Sequence, residues 1–222
     1  ALLRWNHPRK GLLSPDSFIP VAEKTGMINE MGKLALEIAC REAASWAIPA
    51  KISVNVSPVQ LGSKAFSGIV LSILKETGLA ADRLELEVTE TSVFSESNSP
   101  MNTLNKLRTL GVTISIDDFG TGYSGLSYLH DLHIDYIKID QSFVGRVNEL
   151  PDSTRILDCV LDLARKLSLS IVAEGVETKA QLDYLNKNNI VFLQGYYFYK
   201  PVTFTEFVMI LLSKPKVKVF VE

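Results

Sequence analysis

Apolar and polar residues alternate with a period of two in four short stretches: 52–57 (ISVNVS), 84–89 (LELEVT), 112–117 (VTISID) and 136–140 (YIKID). With β-branched residues on alternate positions, this pattern predicts strands. Two shorter, more apolar stretches, 170–174 (SIVAE) and 191–194 (VFLQ), are also read as strands, and 2–5 as the end of another. The intervening segments change period. In 30–46, Met31, Leu34, Ala35, Ile38, Ala39 and Ala43 recur every three or four residues, which predicts a helix. The same spacing predicts helices over 65–77, 102–110, 154–167, 179–187 and 205–212. Gly78 and Gly111 stand where a left-handed C-terminal cap is needed, and Thr178 stands where an N-cap hydroxyl is useful.

Strand and helix therefore alternate along the chain, which implies parallel strands joined by helices. A doubly wound sheet and a (β/α) barrel both satisfy the alternation, and strand parity separates them. Ile52, Val54 and Val56 share one face of their strand, opposite Ser53 and Asn55. Leu84, Leu86 and Val88 lie opposite Glu85 and Glu87, and Val112, Ile114 and Ile116 lie opposite Ser115 and Asp117. An open sheet covered on both faces would press these polar side chains against apolar helices. A barrel packs only its outer face on helices and gathers the inner polar ends at the C-terminal mouth, where such barrels carry their sites. The expected fold is α/β, a TIM-like (β/α) barrel. No linker or low-complexity stretch divides the chain, so 1–222 is read as one domain.

Composition narrows the chemistry. Lys+Arg 23 against Asp+Glu 25 leaves a net charge of −2, which provides no basic footprint for nucleic acid. No apolar run reaches the roughly 18 residues of a spanning helix, since even 204–212 is broken by Glu206. Cys40 and Cys159 lie far apart in helix-like stretches and are read as buried reduced thiols, which suits a cytoplasmic protein. The chain starts without Met on an apolar run and is read as a fragment, so a membrane anchor in the parent protein would lie outside it.

The last inward positions of successive strands are Asn55, Glu87, Asp117, Lys138, Glu174 and Gln194, with Glu90, Asp118, Asp140 and Glu177 within three residues of one of them. Crowded carboxylates repel one another unless cations relieve them. Oxygen donors without thiolate suit Mg²⁺ or Mn²⁺, and adjacent Asp117 and Asp118 suit division between two ions. Such a pair favours in-line displacement at phosphorus, with Lys138 steadying a phosphate or a water. The glycines of 118–125 (DFGTGYSG) allow a tight turn beside this site. They do not form a dinucleotide or P-loop signature. His130 and His133 are read as surface residues, and Lys214, Lys216 and Lys218 as a solvated terminal strand. The run 196–199 (YYFY) is open between base stacking and wall packing.

The ordered set ALLRW at 1–5, NVS at 55–57, EVTE at 87–90, DDFGTG at 117–122, KID at 138–140, AEGVE at 173–177 and QG at 194–195 resembles the EAL-domain cyclic di-GMP phosphodiesterases over 1–201. The resemblance implies hydrolysis of cyclic di-GMP to linear pGpG with two Mg²⁺ or Mn²⁺ ions, Ca²⁺ being inhibitory. It implies that Asn55, Glu87 and Asp117 hold one ion, and Asp117, Asp118 and Glu174 the other. Lys138 would orient the attacking water, Arg4 would contact a substrate phosphate, and Glu90 would brace the glycine-bearing loop. Asp140, Glu177 and Gln194 would complete the network of water and supporting contacts. The resemblance also implies homodimerisation through 118–129 and fused sensory or GGDEF domains outside the chain. The family's Glu-Ala-Leu motif is met from its Ala, so its Glu and the family's first barrel strand are absent from the sequence, either cut off or different in the natural protein. The expected enzyme is therefore the parent protein, and the fragment is expected to be inactive if that Glu is truly missing. The competing reading is a non-catalytic cyclic di-GMP receptor or interaction module. A third, an aldolase-like barrel with a Schiff base on Lys138, is disfavoured because neighbouring carboxylates keep that amine charged.

Overall fold

The computed structural model describes residues 1–93, 99–120, 134–147 and 154–213. In chain order the elements are β1 (Trp5–His7), β2 (Gly11–Leu13), α1 (Ile19–Thr25), α2 (Ile28–Ala44), β3 (Ile52–Asn55), α3 (Pro58–Leu61), α4 (Phe66–Thr77) and β4 (Leu84–Thr89). They continue with α5 (Glu90–Val93), α6 (Ser99–Thr109), β5 (Thr113–Phe119), β6 (Tyr136–Ile139), α7 (Gln141–Gly145), α8 (Arg155–Lys166), β7 (Ser170–Ala173), α9 (Lys179–Lys187), β8 (Phe192–Leu193) and α10 (Phe204–Ser213). The described residues form two compact units, 1–88 with 99–113, and 89–93 with 114–120, 134–147 and 154–213.

In the first unit β3 and β4 pair in parallel, with Ser53 opposite Glu85 and Asn55 opposite Glu87. Ile52, Val54, Leu84, Leu86 and Val88 are buried on one face. Each such side chain contributes roughly 1.5–3 kcal/mol on leaving water. The opposite face is also buried but polar, through Ser53, Glu85 and Glu87. Burial of both faces with opposite polarity is what the strand parity anticipated. Arg83, just before β4, ties that strand to its surroundings by donating to the carbonyls of Ala43 and Ala50 at 2.7 and 3.0 Å. Helix α4 ends on Gly78 in the left-handed region, as its position suggested.

The N-terminal strand differs from expectation. Instead of ending at Trp5, it runs over Trp5–His7 and turns back antiparallel onto β2. The turn is held by the His7 ring, whose Nδ1 accepts the N–H groups of Arg9 and Lys10 at 3.1 and 3.2 Å. That ring-to-backbone cap has no period-two signature. Helix α3 was also not anticipated; its start is a capping box between Ser57 and Gln60 rather than an apolar period. Cys40 is fully buried and its thiol is pushed up to about 11 by that burial. In the second unit Cys159 is exposed on α8, contrary to the reading of both thiols as buried. Leu157, Val160, Leu161 and Ala164 take the buried face of that helix and turn Cys159 to water.

The second unit has parallel strands in the order β5-β6-β7-β8. Beside β6 the ladder slips: Ile116 is opposite Ile137, but Phe119 is opposite Ile139. Two residues, Asp117 and Asp118, thus face the single residue Lys138, which is a β-bulge. Helix α9 opens on a capping box between Thr178 and Gln181. Helices α8 and α9 end with Ser168 and Asn189 in the left-handed region, where no glycine marked the stop. Among the described residues no helix is long and apolar enough to cross a membrane.

Candidate active site

Lys138 is the centre of the second unit's polar cluster. Its side chain is almost fully buried, and its Nζ lies 2.5 Å from Glu174 Oε1 and 3.5 Å from Asp117 Oδ1. Both carboxylates are mostly shielded, at 14% and 17% side-chain exposure. A buried ammonium needs such partners, because an unpaired charge out of water costs several kcal/mol. Three strand ends supply the cluster: Asp117 near the end of β5, Lys138 on β6 and Glu174 immediately after β7. The Glu174 N–H donates to the Ile139 carbonyl at 3.1 Å, which extends the β6–β7 ladder by one residue and fixes where the carboxylate begins.

The bulge sets Asp118. Its φ of 54° is in the left-handed region, which costs a non-glycine residue roughly 1–2 kcal/mol. Its N–H donates to Asp117 Oδ1 at 3.0 Å, compensating locally for that strain. Regular alternation would send Asp117 and Asp118 to opposite faces, and the bulge removes that constraint. Asp118 is exposed.

Gly120, at φ 93°, follows. Its N–H donates at 3.1 Å to Oε2 of Glu90, a buried residue that opens α5. A Cβ on Gly120 would meet the Phe143 ring of α7 at 3.2 Å. The same short helix meets the turn after Glu174, since a Cβ on Gly175 would fall 2.3 Å from the Gln141 Cβ. Helix α7 thereby wedges between the two turns that follow Asp118 and Glu174. Its N-cap is Asp140, whose Oδ1 accepts the Ser142 N–H at 3.0 Å. Glu177 is exposed, and its N–H donates to Gln181 Oε1 at 2.7 Å. Gln194 holds its place through the backbone, its N–H donating to Ala173 and its carbonyl accepting from Val176, both at 2.9 Å.

The first unit contributes a second constellation. Buried Glu87 accepts the Ser53 hydroxyl at 2.6 Å, and its neighbour in register, Asn55, is exposed. Arg4 is exposed just before β1, with its guanidinium donating to the Leu3 carbonyl at 2.9 Å. Sequence reasoning missed Ser53, Gln141 and Phe143. Ser53 was legible in principle, standing two residues before Asn55 on the same face. Gln141 and Phe143 act by filling space against glycines, which leaves no local signature. Residues 121–125 of the glycine-bearing turn and 121–129 of the expected dimer segment lie outside the described residues, as do His130, His133, Lys214, Lys216 and Lys218. As the side chains stand, no three His, Cys, Asp or Glu residues among those described form a group that could hold a metal ion.

The family model of the EAL domain matches residues 1–201. The chain is 56% identical to the probable cyclic di-GMP phosphodiesterase PdeG of Escherichia coli K12, over 100% of this chain and 44% of that protein. It is 42% identical to the cyclic di-GMP phosphodiesterase NbdA of Pseudomonas aeruginosa, over 91% of this chain and 26% of that protein. The chain thus spans less than half the length of these curated relatives. Among solved structures, the PaMucR phosphodiesterase in complex with c-di-GMP superposes with a TM-score of 0.88 at 39% identity, covering 93% of this chain and 85% of that one. With the parallel βα repeats, this likeness makes the fold TIM-like (β/α).

Proposed function

The chain belongs to the EAL domain family, and from that premise we propose that it carries the hydrolysis of cyclic di-GMP to linear pGpG. The observation that carries this reading is the buried Lys138 ammonium held between Glu174 and Asp117 at strand ends. In the reaction a water oxygen bonds to phosphorus, the bond from phosphorus to the ribose 3′-oxygen breaks, and a water proton ends on that 3′-oxygen. Lys138 holds the attacking water by a hydrogen bond and balances charge that grows on the phosphoryl oxygens. Glu174 and Asp117 keep the amine charged and aimed. Arg4 receives a substrate phosphate on its planar fork. Glu90 braces the turn at Gly120, and Asp140, Glu177 and Gln194 support the water network.

The donor set suits two Mg²⁺ or Mn²⁺ ions, with Asn55, Glu87 and Asp117 for one and Asp117, Asp118 and Glu174 for the other. All are hard oxygen donors, the kind these ions select. When bound, such ions supply Lewis-acid stabilisation of the phosphoryl oxygens. In the intact protein, Asp117→Asn is expected to abolish hydrolysis and leave the fold unchanged by circular dichroism. Near-wild-type turnover would remove the two-ion assignment. Failure of the intact protein to bind cyclic di-GMP with any divalent ion would remove the function itself. The proposal extends to a single EAL-type domain over 1–222, a cytoplasmic location, homodimerisation through 118–129, and fused sensory or GGDEF domains in the parent protein.

A further inference from the structure

In the first unit a single hydroxyl stands between two buried carboxylates. Glu85 and Glu87 are two residues apart on β4, share its polar face and are both buried. Ser53 of β3 is buried too, and its hydroxyl lies 2.6 Å from Glu87 Oε1 and 3.4 Å from Glu85 Oε1. A serine hydroxyl has one proton to give. A separation of 2.6 Å is that of a charge-assisted bond from hydroxyl to carboxylate, while 3.4 Å is beyond the usual hydroxyl range, so the proton goes to Glu87. The register makes this choice informative. Glu85 is directly opposite Ser53, and Glu87 is opposite Asn55, so the short bond passes over the facing carboxylate to the one nearer the strand's C-terminal end. Ile52 and Val54, on either side of Ser53, are buried on the other face. A slip of one residue that turned the hydroxyl away would also pull both of them out of the core.

We infer that Ser53 is a positioning residue that aims the Glu87 carboxylate at a divalent cation and leaves Glu85 as part of the buried wall. The inference rests on the proposed two-ion reading and gives a role to a side chain that this reading does not use. A carboxylate offers about four lone-pair sites, and the hydroxyl takes one of them, so the Ser53 bond and ligation of an ion are compatible. The bond removes rotational freedom from a flexible side chain before the ion arrives. The facing residues separate the two carboxylates in the same way. Opposite Glu87 is Asn55, whose side chain carries a second oxygen donor and is exposed, whereas opposite Glu85 is only Ser53 itself. Metal ligands are commonly held in line by such outer hydrogen bonds, and loss of one costs about 10- to 100-fold in affinity.

The test uses the intact protein without substrate and Mn²⁺ as the probe, with free Mn²⁺ counted by electron paramagnetic resonance. Ser53→Ala should weaken Mn²⁺ binding roughly 10- to 100-fold and leave the circular dichroism spectrum unchanged. Ser53→Thr and Ser53→Val have nearly the same shape and differ in the hydroxyl, so the first should bind Mn²⁺ as wild type does and the second as Ser53→Ala does. If neither of these two folds, Ser53→Ala decides alone. Glu87→Gln should lose the ion, and Glu85→Gln should bind it nearly as wild type does. Wild-type affinity in Ser53→Ala would overturn the positioning role and leave the two-ion reading intact, even if the melting temperature of that variant fell, since the serine would then be purely structural. Equal affinities in the Thr and Val variants would overturn it too, as would a Glu85→Gln variant that loses the ion as fully as Glu87→Gln. If wild type binds no Mn²⁺, the two-ion reading fails and the positioning role fails with it.

Discussion

Lys138 and Glu174 meet ammonium nitrogen to carboxylate oxygen at 2.5 Å, between β6 and the turn that ends β7. The pair sits where the side chain of Lys138 is 3% exposed, so each partner is needed to keep the other charged in a poorly hydrated place. Asp117, with its Oδ1 3.5 Å from the same ammonium, makes it a triad. In the proposed function, a rigid ammonium flanked by carboxylates would bind and aim a water without reorganisation during the reaction.

Lys138→Ala in the intact protein is expected to lower kcat by about 100-fold or more, while cyclic di-GMP affinity in Ca²⁺ changes far less. In the proposed role, the water held by the amine matters chiefly in the transition state. The same substitution leaves two shielded carboxylates facing each other and should cost about 3 kcal/mol in chemical denaturation. Equal losses in binding and turnover would assign the lysine to substrate rather than water.

In the proposed function Glu90 acts through the turn at Gly120 and not on the substrate. Its Oε2 receives the Gly120 N–H at 3.1 Å, so Glu90→Ala should release that amide. Hydrogen exchange at Gly120 is expected to rise at least tenfold in this variant, with a partial rise in Glu90→Gln, which keeps one oxygen acceptor. An exchange rate equal to that of wild type in Glu90→Ala would show that the brace lies elsewhere.

Gly195 and Gly175 tolerate no side chain, for a stronger reason than backbone freedom. A Cβ at either position meets other atoms at 2.2 or 2.3 Å. At Gly195 those atoms are backbone and cannot step aside. Gly195→Ala is expected to destabilise the protein by more than about 3 kcal/mol, and Gly175→Ala by somewhat less, because part of its obstacle is the Gln141 side chain. Thermal melts of the two variants beside wild type would decide the ranking.

The two thiols should separate cleanly. Buried Cys40, with its pKa pushed up to about 11, stays protonated at pH 8 and unreactive, whereas exposed Cys159 reacts. An aromatic disulfide reagent should titrate one thiol per native chain and two in denaturant. The raised folded value means that this thiol's contribution to stability is complete below about pH 8.5. It falls as pH climbs towards 11, by roughly 2–3 kcal/mol in all. A Cys40→Ala variant should lose that part of the alkaline decline.

Strand identity and parity were legible in the chain because period two is a local property. The stretch 84–89 is strand from end to end, and its alternation correctly set Glu85 and Glu87 opposite Leu84 and Leu86. The order of carboxylates along successive strands was legible for the same reason, as was the helical stop at Gly78. The bulge was not. Two adjacent aspartates read as one more alternation, and only the slipped ladder beside Lys138 shows that both face a single residue. The His7 turn, the Ser168 and Asn189 stops, and the exposure of Cys159 were hidden likewise, since each depends on what packs alongside. The sequence by itself determined which residue types stand at the ends of the strands, because side-chain alternation needs no partner. Tertiary structure alone decided which of them touch, because a distance of 2.5 Å between residues 36 positions apart is set by strand pairing and packing, and those are properties of neighbours in space.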